Sequence, residues 1–185
     1  MVRTTVLASA AAAAVTTAAL AGCGGGDSPK PAPFTPSAAA SASASPSGAP
    51  TMPAEAQGTS PESAEAFVRY YMAIYSYSAR TGDTAPMKRL VTDECRSCSN
   101  SIALIDKTYA SGGHAEGRGY SVSKLTGKRS GPGSVILEGT VTQYGQQFLA
   151  SASATPTSFP RGTFRARFEL ANTEDVWHLN GLFLL

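Results

Sequence analysis

From residue 61 onward, apolar positions repeat first at the helical period and later at the period of a strand. Phe67, Val68, Tyr71, Ile74 and Tyr75 recur at helical spacing, and Tyr70, Met72 and Tyr77 widen the apolar arc beyond the stripe of an ordinary surface helix. Ser60-Pro61-Glu62 places a capping hydroxyl, a proline at the first helical position and an acid in the first turn ahead of this run. Gly82 follows it, so a helix is predicted between them, broad enough in its apolar surface to be cupped by a sheet. A short second helix is predicted from Thr84 or Ala85 to Val91, with Pro86 in its first turn. A third is predicted from Asp93 to about Ala110, where Gly112-Gly113 stop it. Its apolar residues Cys95, Cys98, Ile102, Ile105 and Tyr109 form a buried seam.

After Gly113 the pattern changes. Tyr120 to Leu125, Val135 to Tyr144, Thr163 to Ala171 and Val176 to Leu184 are rich in β-branched, aromatic and alternating residues and predict four strands. The third is the clearest: Phe164, Ala166, Phe168 and Leu170 lie on one side and Arg165, Arg167 and Glu169 on the other, which sets its register. Turns are expected at Lys128 to Gly133 and at Asn172 to Asp175. Gly145 to Gly162, dominated by Ser, Ala and Pro, reads as a long loop, with strand-like character around Phe148-Leu149 at most. Helices followed by four antiparallel strands give an α+β fold with the helices on one face of a curved sheet.

The N-terminal third is of a different kind. Residues 24–60 contain seven of the chain's twelve prolines, and only Phe34 and Met52 are large apolar side chains, so composition predicts a disordered Ala/Pro/Ser/Gly tether without a core. Before it, Met1-Val2-Arg3, an Ala-rich apolar run ending at Leu20 and the small residues Ala21-Gly22 read as a secretory signal peptide over residues 1–22. The organisation expected is therefore signal peptide, a tether beginning with Cys23 (23–60), and one domain (61–185). Within that domain the charge is nearly balanced and no basic run exceeds Lys128-Arg129, which argues against a nucleic-acid partner.

Three resemblances sharpen this reading. Leu20-Ala21-Gly22-Cys23 resembles the lipobox of bacterial lipoproteins, which implies that Cys23 carries a diacylglyceryl anchor and an acyl chain such as palmitate. The protein would then sit on the extracytoplasmic face of the cell membrane. The element order resembles the NTF2-like, cystatin-like cone. Glu62 to Tyr71, Arg80 to Ala85, the Asp93 to Cys98 helix start and the Phe168 to Trp177 region together resemble a family of secreted actinobacterial lipoproteins of unknown function. That likeness implies fold and location and assigns no activity.

Few residues offer chemistry. Cys95 and Cys98 lie one helical turn apart on one face, and in an exported protein they read as a structural disulfide pinning the third helix. The competing reading is a C-x-x-C thiol redox centre, against which stand the acidic flank Asp93-Glu94 and the absence of a preceding strand. With Cys23 acylated, the two remaining Cys and two His do not suggest a zinc site, and no metal or cofactor is expected. His114 reads as a loop residue and His178 as an outward strand residue. Ser121-x-x-Lys124 matches a penicillin-binding motif by chance, since it falls on a strand and no Lys-Thr-Gly exists. A cone of this type offers an apolar pocket, for which Tyr71, Tyr75, Phe164, Phe168 and Trp177 are the expected lining. The nearest acids, Asp106 and Glu138, read as surface residues. The expectation is thus a non-catalytic binding or assembly domain, for a cell-envelope protein or a small apolar ligand. An acid/base isomerase or dehydratase using the cone is the alternative.

Overall fold

A computed structural model describes residues 48–185. The expected signal peptide, Cys23 and most of the tether lie outside the described residues.

The first helix, α1 (Pro61–Thr81), begins and ends where its caps direct. The Ser60 hydroxyl accepts the Ser63 N–H at 3.1 Å and the Ser63 hydroxyl donates back to the Ser60 carbonyl at 2.8 Å. At the other end Gly82, in the left-handed region at φ 75°, donates its N–H to Ser78. The helix buries Phe67, Val68, Tyr71 and Ile74 completely.

Two helices differ from expectation. The second, α2 (Ala85–Lys88), is a single turn and stops short of Val91. Leu90 to Thr92 leave the helix because they pair with a strand: Leu179 N–H donates to the Leu90 carbonyl and Thr92 N–H to the Leu179 carbonyl. The third, α3 (Arg96–Ala110), starts three residues later than Asp93. Cys95 is its N-cap, because the Cys95 and Arg96 amides are taken by the Thr92 and Glu94 carbonyls in a tight turn.

Seven strands follow: β1 (His114–Gly117), β2 (Tyr120–Gly131), β3 (Ser134–Gln143), β4 (Gln146–Leu149), β5 (Thr157–Phe159), β6 (Gly162–Thr173) and β7 (Val176–Leu184). The main sheet is antiparallel in the order β2-β3-β6-β7, with Leu137 opposite Phe168 and Val141 opposite Phe164. Its inward residues Val135, Leu137, Val141, Ala166, Phe168 and Leu170 are buried, and Arg165, Arg167 and Glu169 face away, as the alternation predicts. The β2–β3 turn is tighter than expected: β2 continues to Gly131 and only Pro132-Gly133 reverse the chain. A register shift between Ser123 and Thr126, where Lys124 takes φ 53°, bends β2.

The expected loop at residues 145–162 is corrected by the structure. It contains β4 and β5, which join β1 in a second antiparallel sheet in the order β1-β4-β5. Only four- and three-residue strands are involved, too short for alternation to show in sequence, and their pairing partner β1 lies 32 residues upstream of β4.

The expected boundary at residue 61 also moves upstream. Met52 packs against the core, and Ala56, in a short 3₁₀ turn at Ala54–Ala56, is buried. The Gly58 and Thr59 carbonyls accept from Asn172 Nδ2 and Arg129, and the Pro50 carbonyl from the Tyr70 hydroxyl. A Pro/Ala/Ser composition does not prevent packing when neighbouring elements supply both an apolar surface and donors.

Candidate functional site

The helices cross the concave face of the main sheet, and the space between them is filled at one end and open at the other. At the filled end the Trp177 indole N–H donates to the buried Ser63 hydroxyl at 2.9 Å, tying β7 to the first turn of α1. Phe67, Tyr71, Phe168 and Leu137 are buried in the same core cluster. Of the five aromatics expected to line a pocket, Tyr71, Phe168 and Trp177 are therefore solid core. Burial raises the Tyr71 phenol pKa, the neighbouring Tyr75 adding to the effect, and its hydroxyl is buried without a hydrogen-bond partner.

Tyr75 and Phe164 sit at the open end, where two recesses meet. The first, of about 220 Å³, lies between α1, α3 and the second sheet and is lined by Tyr75, Tyr109, Tyr120, Phe148, Phe159 and Leu104 with Gln143 and Gln146. The second, of about 360 Å³, lies toward the main sheet among Met72, Ser97, Ser101, Phe164, Leu182 and Leu184. Tyr75, Tyr120 and Gln143 line both. The Tyr75 and Tyr120 rings meet edge to face at 5.1 Å and act as a partition between the two spaces.

This partition is held by local chemistry. Gly119, at φ 77°, packs against Ser76 so closely that a Cβ would collide with it. That approach lets the Tyr120 N–H donate to the Ser76 hydroxyl at 2.8 Å, while the same hydroxyl donates to the Met72 carbonyl at 2.8 Å. Tyr109 is fixed by its hydroxyl, which donates to the Ala79 carbonyl. Burial, then the proximity of Tyr120, raises the Tyr75 pKa, so it stays a neutral phenol at physiological pH.

A dry cavity of roughly 150 Å³ accommodates benzene, so each recess is large enough for a ring or a short acyl segment. The described residues lining the two recesses include no carboxylate, imidazole, amine or guanidinium. Asp106 lies elsewhere, accepting from Thr84 at 2.7 Å and Lys88 at 3.0 Å, which lowers its pKa. Glu138 is on the outer face with Arg165 and Arg167, and His114 pairs with Glu116. The Ser121-x-x-Lys124 match falls on β2 and not on a helix.

Cys95 and Cys98 form a disulfide with Cα atoms 5.2 Å apart, and both residues are buried. Between them Ser97 lines the second recess, and its hydroxyl accepts the Leu182 N–H at 3.3 Å. The bridge thus fixes the α3 start beside the open end. Sequence reasoning missed Tyr120, Gln143, Phe148 and Phe159. Phe148 and Phe159 lie in the segment read as a loop, where two well-separated aromatics among small residues were the only signal.

No curated protein matches the chain significantly. Among solved structures it is similar to the intermembrane space region of chloroplast protein ARC6, at 18% identity and a TM-score of 0.54 over 68% of this chain and 96% of that one. It is also similar to the β subunit of benzoate 1,2-dioxygenase from Burkholderia mallei, at 6% identity and a TM-score of 0.47 over 68% and 89%. A third is an uncharacterised protein with a cystatin-like fold from Caulobacter vibrioides, at 12% identity and a TM-score of 0.40 over 64% and 87%. These likenesses are of fold, which is α+β, with helices packed on two antiparallel sheets. The chain belongs to the family of unknown function DUF6318, whose model matches residues 35–181.

Proposed function

We propose that the domain is a non-catalytic binding module whose open end takes a small, uncharged and largely apolar ligand. The observation that carries this is the lining of the twin recesses: aromatic and aliphatic side chains, with phenols, amides and hydroxyls as the only polar groups. An acid/base reaction in the cone would need a titratable group near neutral pH, and the raised pKa of Tyr75 makes it a poor one. The test is calorimetric titration of the full chain with neutral two-ring aromatics and with short-chain alcohols. Saturable binding that weakens with Phe148→Ala is expected, and failure of both ligand series to bind would overturn the reading.

On the same footing we propose that Cys23 is acylated and holds this module on the extracytoplasmic face of the cell membrane. The Leu20 to Cys23 string supports this, and among the described residues no helix is long and apolar enough to cross a bilayer. Two acyl chains hold a protein where one binds marginally. Cys23→Ser is expected to move the protein from the membrane to the soluble fraction and to abolish labelling by fatty acid; retention through a salt wash would overturn the anchor.

A further inference from the structure

The charged residues outside the cone fall into two groups. Among the described residues, three arginines have carboxylate partners: Arg69 pairs with Glu65 at 3.0 Å, and Arg165 and Arg167 share Glu138 at 2.7 and 3.6 Å, while Arg129 donates to the neutral Thr59 carbonyl at 2.9 Å. No described carboxylate lies within 4.0 Å of Arg89 or Arg96, nor of the three residues Arg80, Arg118 and Arg161.

These three nevertheless gather at one corner. Tyr144 stands between two of them, with the Arg118 guanidinium carbon 4.2 Å and that of Arg161 5.5 Å from its ring centre, so the two cations are at most about 10 Å apart. The Tyr144 hydroxyl is in turn 3.2 Å from that of Ser121. Ser121 contact first, then the two arginines, lowers the Tyr144 pKa. On its other side Arg118 lines a recess of about 270 Å³ together with Arg80, Ser76, Tyr77 and Tyr120. The far wall of that recess is Gly48 and Pro50, where the tether enters the domain. The acid nearest in the hydrogen-bond network is Asp83, which accepts from the Tyr77 hydroxyl at 3.2 Å and from the Ala85 N–H, so it offsets the arginines only in part.

Like charges brought together without counter-charge repel, and this repulsion opposes what folding gains from stacking Arg118 and Arg161 on the Tyr144 ring. The arrangement is explained if a multivalent anion completes it, since guanidinium groups present forked donors that match tetrahedral oxyanions. We propose that Arg118, flanked by Arg80 and Arg161, forms a phosphate-binding site at the corner where the tether joins the domain. The group bound is a phosphate ester or diester, carried either by an anionic lipid headgroup or by a soluble phosphorylated compound. The site adjoins the apolar recesses through Tyr120, which lines all three spaces, but none of Arg80, Arg118 and Arg161 lines either apolar recess.

The test uses the full chain with Cys23→Ser, so that an acyl anchor does not mask the measurement. It is sedimented with vesicles of phosphatidylglycerol or of phosphatidylcholine, and titrated with inorganic phosphate by NMR, at low salt and at about 0.15 M. Binding to phosphatidylglycerol and not to phosphatidylcholine assigns the headgroup; resonance shifts of residues 118, 144 and 161 with inorganic phosphate assign a soluble source. In either case Arg118→Gln is expected to weaken binding by about tenfold or more, while Arg69→Gln leaves it unchanged. Arg118 is exposed, so the variant is expected to melt with the parent. Failure to bind either probe at low salt, binding unaffected by the Arg118→Gln, Arg161→Gln pair, or an equal loss with Arg69→Gln would each overturn the site.

Discussion

The two ends of the cone are built from the same helix and differ in what faces it. Over its first three turns α1 presents Phe67 and Tyr71 to Trp177, Phe168 and Leu137, and large side chains from both layers meet and exclude solvent. One turn further on, Tyr75 and Ala79 face Ala115, Gln143 and the short second sheet, and the layers no longer close. Leu104, Phe159 and Leu184 remain exposed around the opening. Stability therefore resides at one end and binding capacity at the other, and aromatic residues serve both. What separates a core aromatic from a pocket aromatic here is whether the layers close around it.

The strongest way to break that contrast is Trp177→Ala. It removes a fully buried side chain and the hydrogen bond that side chain donates to the Ser63 hydroxyl, so unfolding in denaturant should show a loss of about 3–5 kcal/mol. A loss near zero would mean that the closed end is not solid. Next in size, replacing Cys95 and Cys98 together by Ser opens a loop so short that chain entropy accounts for about 2 kcal/mol. Hydrogen exchange should place the loosening at the α3 start and at Leu182, where Ser97 docks, while Trp177 remains protected.

Tyr75→Ala should cost less, about 1–2 kcal/mol, because the residue is only part of the core; in exchange it merges the two recesses. Titration with one-ring and three-ring neutral aromatics would check this, with the variant expected to gain the larger ligand. The smallest effect expected is from Tyr71→Phe, which deletes a buried hydroxyl that has no partner and should be neutral or stabilising by up to about 1 kcal/mol. The same change bears on pH. Burial raises the folded-state pKa of Tyr71 and Tyr75, so both contribute their full stability below the ordinary tyrosine value of about 10 and lose it as pH rises through and beyond that value. Tyr71→Phe should flatten the alkaline limb of the stability curve measured by thermal melts.

Much of the architecture was legible because local signals and global fold agree. Ser60-Pro61-Glu62 and Gly82 bound α1, and the alternation Phe164 to Leu170 sets the face of β6 as observed. The pocket was legible only in part. Five aromatics shared the same hydrophobic signal, and the chain sequence carries no mark of which lie opposite a large neighbour. Tyr120 reached the site through Gly119, whose close approach to Ser76 lets the Tyr120 N–H bond a hydroxyl 44 residues away. The arginine corner is less legible still, since Arg80, Arg118 and Arg161 are far apart in sequence and, like Arg89 and Arg96, differ from Arg69 and Arg165 in having no described carboxylate partner.

Residue order alone determined the α+β class, the caps of α1, the inward face of the main sheet and the closeness of Cys95 and Cys98, because each depends on neighbours within one turn or one strand. Tertiary structure decided the rest: the second sheet, the docking of residues 50–60, the split of the aromatics between core and pocket, and the gathering of uncompensated arginines. These depend on contacts between distant segments, whose energies come from what lies opposite a side chain rather than from what precedes it.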